Sequence, residues 1–130
     1  MTKAIIKTLL SKLLNTPLVI EEGTSGIWTY RKWSDGTAEC WGYTASVNYA
    51  MTKTYGNLYY ADLNRIDFPT GLFSSAPVVT GVRNSEGGGT GLVALVLNRT
   101  TKDSCGGYSQ SASSLTTAVS FSIYAVGKWK

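Results

Sequence analysis

Two acidic residues, Asp35 and Glu39, lie four positions apart in a segment rich in aromatic residues. A pair of carboxyl groups is what glycoside hydrolysis requires. Asp35, however, is followed by Gly36 in a segment that predicts a tight turn, and turn formation alone explains an aspartate there. The remaining acidic residues that we considered for catalysis are scattered: Asp62, Asp67, Glu86 and Asp103. The chain has no histidine and therefore lacks the usual general base. We expect no enzymatic activity, and a glycosidase that uses Glu39 is kept as an alternative.

Metal and cofactor chemistry have little support in the sequence. Cys40 and Cys105 are the only cysteines, far apart and without the CxxC spacing of zinc or redox sites. We expect two buried free thiols, with a disulfide as the alternative. The glycine-rich stretch 84–91, NSEGGGTG, lacks the G-x-x-x-x-G-K-[ST] order of a phosphate-binding loop. The sequence therefore predicts no metal and no cofactor.

The charge pattern narrows the choice of partners. The formal net charge is +4, but the twelve Lys and Arg residues are spread along the chain and form no basic run, so we expect no nucleic acid partner. Charged residues make up only 15% of the chain, so the surface must rely on uncharged polar residues and tyrosine. No apolar stretch reaches the roughly 18 residues that would cross a bilayer, so we expect no membrane insertion.

Aromatic residues carry the positive functional signal, with four tryptophans and eight tyrosines in 130 residues. Large rings with a polar group bury well in cores and interfaces, and they also stack on sugar faces. We expect the tryptophans to be largely buried because they lie inside predicted strands. Candidate glycan ligands are the residues at predicted loop edges: Tyr43, Tyr55, Arg83, Asn84 and Tyr108.

The first seventeen residues predict a separate element. Residues 3–15 are typical of a helix with Thr2 as its N-cap, and Pro17 prevents its continuation. In a heptad reading its apolar side chains form one widened face, which suits a three-stranded bundle and makes these residues candidates for oligomerisation: Ile5, Ile6, Leu9, Leu10 and Leu13. The alternatives are a helix packed on its own β domain and, less favoured because no aromatic residue would anchor it, a helix at a membrane surface.

After Pro17 the hydrophobic pattern has a period of two, which predicts a single β domain over residues 18–130. Segments 27–33 and 37–42 predict a hairpin around Asp35 and Gly36. A second turn at Gly56 and Asn57 separates segments 46–54 and 58–66. Three further strands are expected, at 77–83, at 91–97 as a fully buried central strand, and at 116–129 with one apolar face. The fold class is mostly β, an antiparallel β-sandwich preceded by a short N-terminal α-helix.

Three stretches of the β region resemble one known group of proteins: GIWTYRKWSDGTAECWG at 26–42, FPTGLFSSAPVV at 68–79 and IYAVGKWK at 123–130. They are similar to the C-terminal receptor-binding or tip domains of tail-fibre and baseplate proteins in tailed phages and prophages. The resemblance implies a homotrimeric β-sandwich, an N-terminal helix or stalk, and a role in recognising the host surface. It further implies that the protein belongs to the virion tail. Residues 13–17, LLNTP, offer no small-residue cleavage site of a signal peptide, so we expect the protein to be made in the bacterial cytoplasm.

Taken together, these expectations describe a phage tail protein whose trimeric tip binds a bacterial cell-surface glycan and contacts other tail or baseplate proteins. A purely structural tail or baseplate component without a ligand site is the first alternative. A glycosidase is the second.

Overall fold

The computed structural model of the protein describes residues 2–85 and 92–130. These residues form one α-helix and twelve β-strands in antiparallel sheets, so the predicted fold class is confirmed. The elements in chain order are α1 (Lys3–Leu14), β1 (Val19–Ser25), β2 (Trp28–Trp33), β3 (Thr37–Tyr43), β4 (Val47–Met51), β5 (Lys53–Tyr55), β6 (Leu58–Asp62), β7 (Ile66–Asp67), β8 (Val78–Ser85), β9 (Leu92–Val96), β10 (Ser104–Cys105), β11 (Tyr108–Ser111) and β12 (Leu115–Lys128).

Helix α1 begins and ends where the sequence predicts. The side chain of Thr2 accepts a hydrogen bond from the backbone N–H of Ile5 at 3.2 Å, which caps the first turn. Asn15 ends the helix in the left-handed conformation (φ 52°), and its N–H donates to the carbonyl oxygen of Ser11. None of the helical residues is buried. No helix in the described part of the chain is long and apolar enough to span a membrane.

The larger sheet is organised around β12, a strand of fourteen residues. The end of β12 pairs with β3 from Ser122 to Lys128, and its beginning pairs with β4 from Leu115 to Val119. β8 pairs with β12 along the opposite edge, from Val119 to Val126. β2 and then β1 continue the sheet beyond β3. The strand that the sequence predicts at 116–129 is thus the centre of this sheet.

The β2–β3 hairpin has the predicted turn. The carboxylate of Asp35 accepts a hydrogen bond from the backbone N–H of Thr37 at 2.9 Å, and Gly36 has a positive φ of 92°. The indole of Trp129 then donates to the carbonyl oxygen of Trp33 at 2.9 Å, which fixes the end of the chain against this hairpin. The aspartate is therefore explained by turn geometry, as expected from the sequence.

The second sheet has four strands in the order β5-β6-β11-β9, and β7 and β10 form a small separate pair. The prediction of a central, fully buried strand at 91–97 is wrong, because β9 lies at the edge of this sheet and pairs only with β11 among the described strands. Residues 94–97 are half-buried rather than buried. A continuous apolar run is found in a central strand that is fully buried and also in an edge strand whose two faces are partly buried. The sequence pattern therefore does not distinguish the two positions.

The core lies between the two sheets. The predicted apolar face of β12 is confirmed, since Val119, Phe121, Ile123 and Ala125 are all buried. Trp28 is also buried, and its indole donates to the carbonyl oxygen of Asp67 at 2.6 Å. The other three tryptophans are half-buried.

Both thiols are part of this core and both are free, as the sequence predicts. Burial raises the pKa of Cys40 to about 12 and that of Cys105 to about 11. The thiolate is the reactive form of cysteine, so burial makes both residues unreactive near neutral pH.

Candidate functional site

Two of the five predicted ligand residues, Tyr55 and Tyr108, line one cleft on the outer surface of the four-stranded sheet. Tyr60 and Arg99 complete its lining, and its volume is about 170 Å³. We call these four residues the tyrosine cleft. They come from three neighbouring strands, β5, β6 and β11, and from the loop after β9.

Strand register explains why these side chains meet. Tyr108 of β11 is opposite Asp62 of β6, and Tyr60 of β6 is opposite Lys53 of β5. Directly paired residues of an antiparallel sheet project to the same face. The neighbouring positions Ala61 and Ser109 are buried and therefore project inward. Alternation thus places the tyrosines on the outer face.

The rings in the cleft offer both flat and polar surfaces. The ring centroids of Tyr60 and Tyr108 are 5.7 Å apart with an interplanar angle of 61°, an edge-to-face contact that fixes both rings. Tyr55 is 70% exposed and is free to receive a ligand on its ring. Tyrosine rings pack against the apolar face of a pyranose, and their hydroxyl groups can hydrogen-bond to it.

One carboxylate bridges two cations at the side of the cleft. Asp62 lies 2.5 Å from the Nζ atom of Lys53 and 3.0 Å from the Nη2 atom of Arg99. Hydrogen bonds from Lys53 and then from Arg99 lower the pKa of Asp62, and the same bond to Asp62 raises the pKa of Lys53. All three side chains are substantially exposed, so this network orients the groups more than it stabilises the fold.

Four residues at the cleft are not among the ligand residues that the sequence predicts: Tyr60, Arg99, Lys53 and Asp62, the last of which is considered there only for catalysis. They are spread over almost fifty positions, and only the pairing of β5, β6 and β11 brings them together. The period-two pattern does predict that Lys53 and Tyr55 share a face, but it does not say which strand lies beside them.

Arg83 and Asn84 do not reach the tyrosine cleft. Both residues lie near the end of β8, which continues through Ser85. The guanidinium of Arg83 instead donates to the carbonyl oxygens of Ala94 and Gln110, at 2.9 and 3.0 Å. The amide of Asn84 donates to the hydroxyl of Ser122 at 2.9 Å. Both side chains therefore hold neighbouring strands, and we leave them out of the candidate site.

Tyr43 lies on the other side of the molecule, in a shallow groove of about 340 Å³ on the outer face of the six-stranded sheet. We call this the outer-face groove; its main side chains are Trp41, Tyr43, Thr80, Val82 and Tyr124. Tyr43 is 68% exposed and Val82 is 61% exposed. The groove is mostly apolar and presents few hydrogen-bonding groups beyond hydroxyls.

Glu39, the residue of the glycosidase alternative, lies beside the outer-face groove. Its carboxylate accepts a hydrogen bond from the hydroxyl of Tyr124 at 2.6 Å, which raises the pKa of Tyr124 to about 12. Arg31 lies 3.9 Å from the same carboxylate and stacks over the Trp41 ring. Asp35 is engaged separately in the β2–β3 turn.

The other acidic residues considered for catalysis are paired with cations at the surface. Asp67 forms an ion pair with Arg65 and Asp103 with Lys102, at 2.8 and 2.9 Å, while Glu86 lies outside the described residues. Within the described ranges, no three histidine, cysteine or acidic residues are grouped so that they could hold a metal ion.

Helix α1 leaves its apolar side chains uncovered. The five predicted oligomerisation residues are between 43% and 80% exposed: Ile5, Ile6, Leu9, Leu10 and Leu13. Ser11 contributes a polar contact to the β domain, because its hydroxyl accepts from that of Ser34 at 2.7 Å. The alternative in which the helix buries its leucines on its own β domain is therefore not observed. The role of these residues in oligomerisation stays a prediction.

No protein-family model and no curated protein sequence matches this chain. Two solved structures match its fold. An N-truncated R1-type pyocin tail fibre superposes with a TM-score of 0.62 and 12% identity, over 91% of this chain and 93% of that one. The C-terminal residues 323–701 of the R1 pyocin fibre of P. aeruginosa superpose with a TM-score of 0.58 and 11% identity, over 90% of this chain and 30% of that one. The protein therefore has a fold similar to that of a tail-fibre domain.

Proposed function

We propose that the protein is a homotrimeric tip module in the tail of a phage or phage-like particle and that it binds a glycan on the bacterial cell surface. The observation that carries the tail assignment is the fold similarity to a pyocin tail fibre over more than nine-tenths of both chains. Synthesis in the bacterial cytoplasm and assembly with other tail or baseplate proteins belong to the same proposal.

The exposed helix supports the trimer. Isolated helices of this length are marginal in water unless an apolar face is covered. Leu13 is 80% exposed and Leu9 is 51% exposed, and the β domain of the same chain covers neither. Three such helices around one axis would bury these leucines on one another, in the manner of a short coiled coil.

The tyrosine cleft supports glycan binding. It combines an exposed ring, two rings held edge to face, and charged groups that can hydrogen-bond to hydroxyls. A small open cleft of this kind binds weakly. Three equivalent clefts on one rigid trimer would gain strength through effective concentration, which is how a weak sugar site can hold a large particle.

A purely structural tail component is the second candidate, and the outer-face groove favours it. Val78 and Val82 of β8 are 73% and 61% exposed on the face that carries this groove. Exposed apolar surface of this kind marks a protein–protein contact, so other tail proteins would be its natural partners if it remains uncovered in the trimer. We propose no catalytic role for Glu39.

The experiment that tests the proposal combines light scattering with binding to glycan arrays and to whole bacteria. We expect a mass of three times the 14.0 kDa chain. Tyr55→Ala should abolish glycan binding, whereas Tyr43→Ala, which removes an equally exposed tyrosine from the outer-face groove, should leave it intact. Only variants with the wild-type mass are compared, because loss of the trimer would weaken binding everywhere.

Two results would contradict the proposal. Negative arrays and negative whole-cell binding for a verified trimer would favour the structural alternative. Loss of binding in Tyr43→Ala but not in Tyr55→Ala would move the glycan site to the outer-face groove.

A further inference from the structure

We propose that the tyrosine cleft selects sugars that carry an anionic group, a carboxylate or a phosphate, over neutral sugars. This inference rests on the proposed glycan-binding function of the cleft and specifies the chemical class of its ligand. Three charged side chains lie at the side of the cleft: Lys53, Asp62 and Arg99.

These three residues carry a net positive charge. Two cations share one carboxylate, which leaves one positive charge unbalanced. No other carboxylate of the described residues contacts Lys53 or Arg99, and Asp103 is paired with Lys102. A ligand with one negative charge would therefore neutralise the cluster.

Arg99 has the hydrogen-bonding capacity to receive such a ligand. Its contact with Asp62 uses Nη2, and among the described residues its other guanidinium nitrogens have no partner. Its side chain is 59% exposed at the cleft. The planar guanidinium presents several donors that match two oxygens of a carboxylate or phosphate.

Asp62 holds the two cationic side chains in place and neutralises only one of their two charges. It restrains two long side chains that would otherwise sample many rotamers, and Lys53 also lies 5.8 Å from the Tyr60 ring centroid. Restraint before binding lowers the entropy that a ligand must overcome. A sugar would then contact the exposed ring of Tyr55 while its acidic substituent meets Arg99.

The size of the preference follows from the exposure of the site. Charge-assisted hydrogen bonds are about twice as strong as neutral ones, but screening by water and salt weakens them at a surface. We expect an anionic sugar to bind about three to ten times more tightly than its neutral counterpart at low salt. The preference should disappear at high ionic strength because the ion pair is exposed.

Glucose, glucuronic acid and glucose 6-phosphate test this inference on the full chain, because they share a ring and differ at one carbon. Titration by NMR should give tighter binding of either acidic sugar, or of both, than of glucose. Arg99→Gln should remove the preference, so that neither acidic sugar binds more tightly than glucose does. Arg65→Gln is the matched control, since it removes another exposed arginine that is paired with an aspartate and lies outside the cleft. An arm with inorganic phosphate separates recognition of a sugar from recognition of an ion alone.

Every other outcome contradicts the inference. Equal binding of the three sugars that is lost in Tyr55→Ala overturns charge selection and leaves the glycan proposal standing. A preference that survives in Arg99→Gln places the selecting group elsewhere and also overturns the inference. Inorganic phosphate that binds as tightly as glucose 6-phosphate shows an ion site only. No binding of any of the three sugars overturns the inference, whereas the glycan proposal is decided by the arrays and the whole-cell binding.

Discussion

The guanidinium of Arg83 in β8 donates a hydrogen bond to the hydroxyl of Ser109 in β11 and so connects the two sheets through the interior. Ser109 is completely buried, and the same Arg83 nitrogen donates to the carbonyl oxygens of Ala94 and Gln110. Burial lowers the pKa of Arg83, although a guanidinium stays charged at every physiological pH. A half-buried charged side chain therefore joins the two sheets of this sandwich.

Replacing this arginine should destabilise the protein strongly. Arg83→Met keeps much of the apolar volume but leaves the buried hydroxyl and carbonyl groups without their donor. We expect the free energy of unfolding in urea to fall by about 2–4 kcal/mol. Arg65→Met, at an arginine whose side chain is 73% exposed, should change it by less than about 0.5 kcal/mol. Similar losses in the two variants would show that the hydrogen bonds of Arg83 contribute little.

Two adjacent glycines before β11 should respond very differently to substitution. A Cβ atom on Gly107 would overlap the carbonyl oxygen of Val96, whereas one on Gly106 would meet its nearest atom only at 4.0 Å. Gly107→Ala should therefore cost about 2–4 kcal/mol, because backbone must move to relieve the overlap. Gly106→Ala should cost much less. Thermal unfolding of both variants measures the difference, and equal melting temperatures would contradict it.

The same pair of glycines affects the tyrosine cleft. Gly107 precedes Tyr108, and the carbonyl oxygen of Gly106 accepts a hydrogen bond from the backbone N–H of Arg99 at 3.0 Å. If Gly107→Ala folds, we expect it to bind glycan more weakly than Gly106→Ala does, since β11 must shift away from β9.

The two thiols should stay unmodified as long as the protein is folded. Their pKa values of about 12 and about 11 lie above the ordinary value of 9.0 because burial disfavours the thiolate. Iodoacetamide at pH 8 should label neither Cys40 nor Cys105 in the native protein and both in guanidinium chloride, as read by mass spectrometry. Labelling of the native protein would show that one thiol is accessible.

The same shifts predict a loss of stability at high pH. A folded-state pKa above the unfolded one means that the thiols contribute their full stability below pH 9.0 and lose it as the pH rises towards 11 and 12. A Cys40→Ser, Cys105→Ser double variant, compared with the wild type by urea unfolding at pH 8 and pH 10, should show a smaller decrease. An equal decrease in both proteins would assign the alkaline loss to other groups.

The exposed leucines of α1 should control the assembly state. Leu9→Asp combined with Leu13→Asp would place two carboxylates in the seam of a three-helix bundle, where they would be desolvated without partners. We expect light scattering to report one third of the wild-type mass. Lys12→Gln, an exposed polar position of the same helix, should keep that mass. A wild-type mass for the leucine variant would show that the helix is not required for assembly.

Local signals in the sequence predicted the individual elements well. The helix begins after its cap at Thr2 and ends before Pro17, and the β2–β3 hairpin turns at Asp35 and Gly36. Each of these residues acts on its own stretch of backbone, so both elements can be predicted from nearby residues. The apolar face of β12 followed from alternation alone. These features depend on contacts within a few residues.

The candidate site could be predicted only in part, because it depends on which strands are neighbours. The sequence singles out Tyr55 and Tyr108 as aromatic residues at loop edges, but their cleft requires the order β5-β6-β11. Arg83 shows the opposite case, since a polar residue next to a glycine-rich loop looked exposed and is instead held inside by acceptors from β9 and β11. Alternation in the sequence predicts which side chains of a strand share a face. The neighbouring strands determine which residues that face contacts, and alternation does not predict them.

The position of β12 also has a consequence for how the polypeptide folds as it is made. β3, β4 and β8 all precede β12 in the chain; among the described strands β4 and β8 pair only with β12, and β3, which already pairs with β2, obtains its second partner from it. While the ribosome is still adding residues 115–128, these earlier strands expose backbone donors and acceptors that have no native partner. The larger sheet therefore forms completely only after β12 has left the ribosome. Until then, the unpaired strands of nascent chains that lie close together on one messenger RNA can pair with one another.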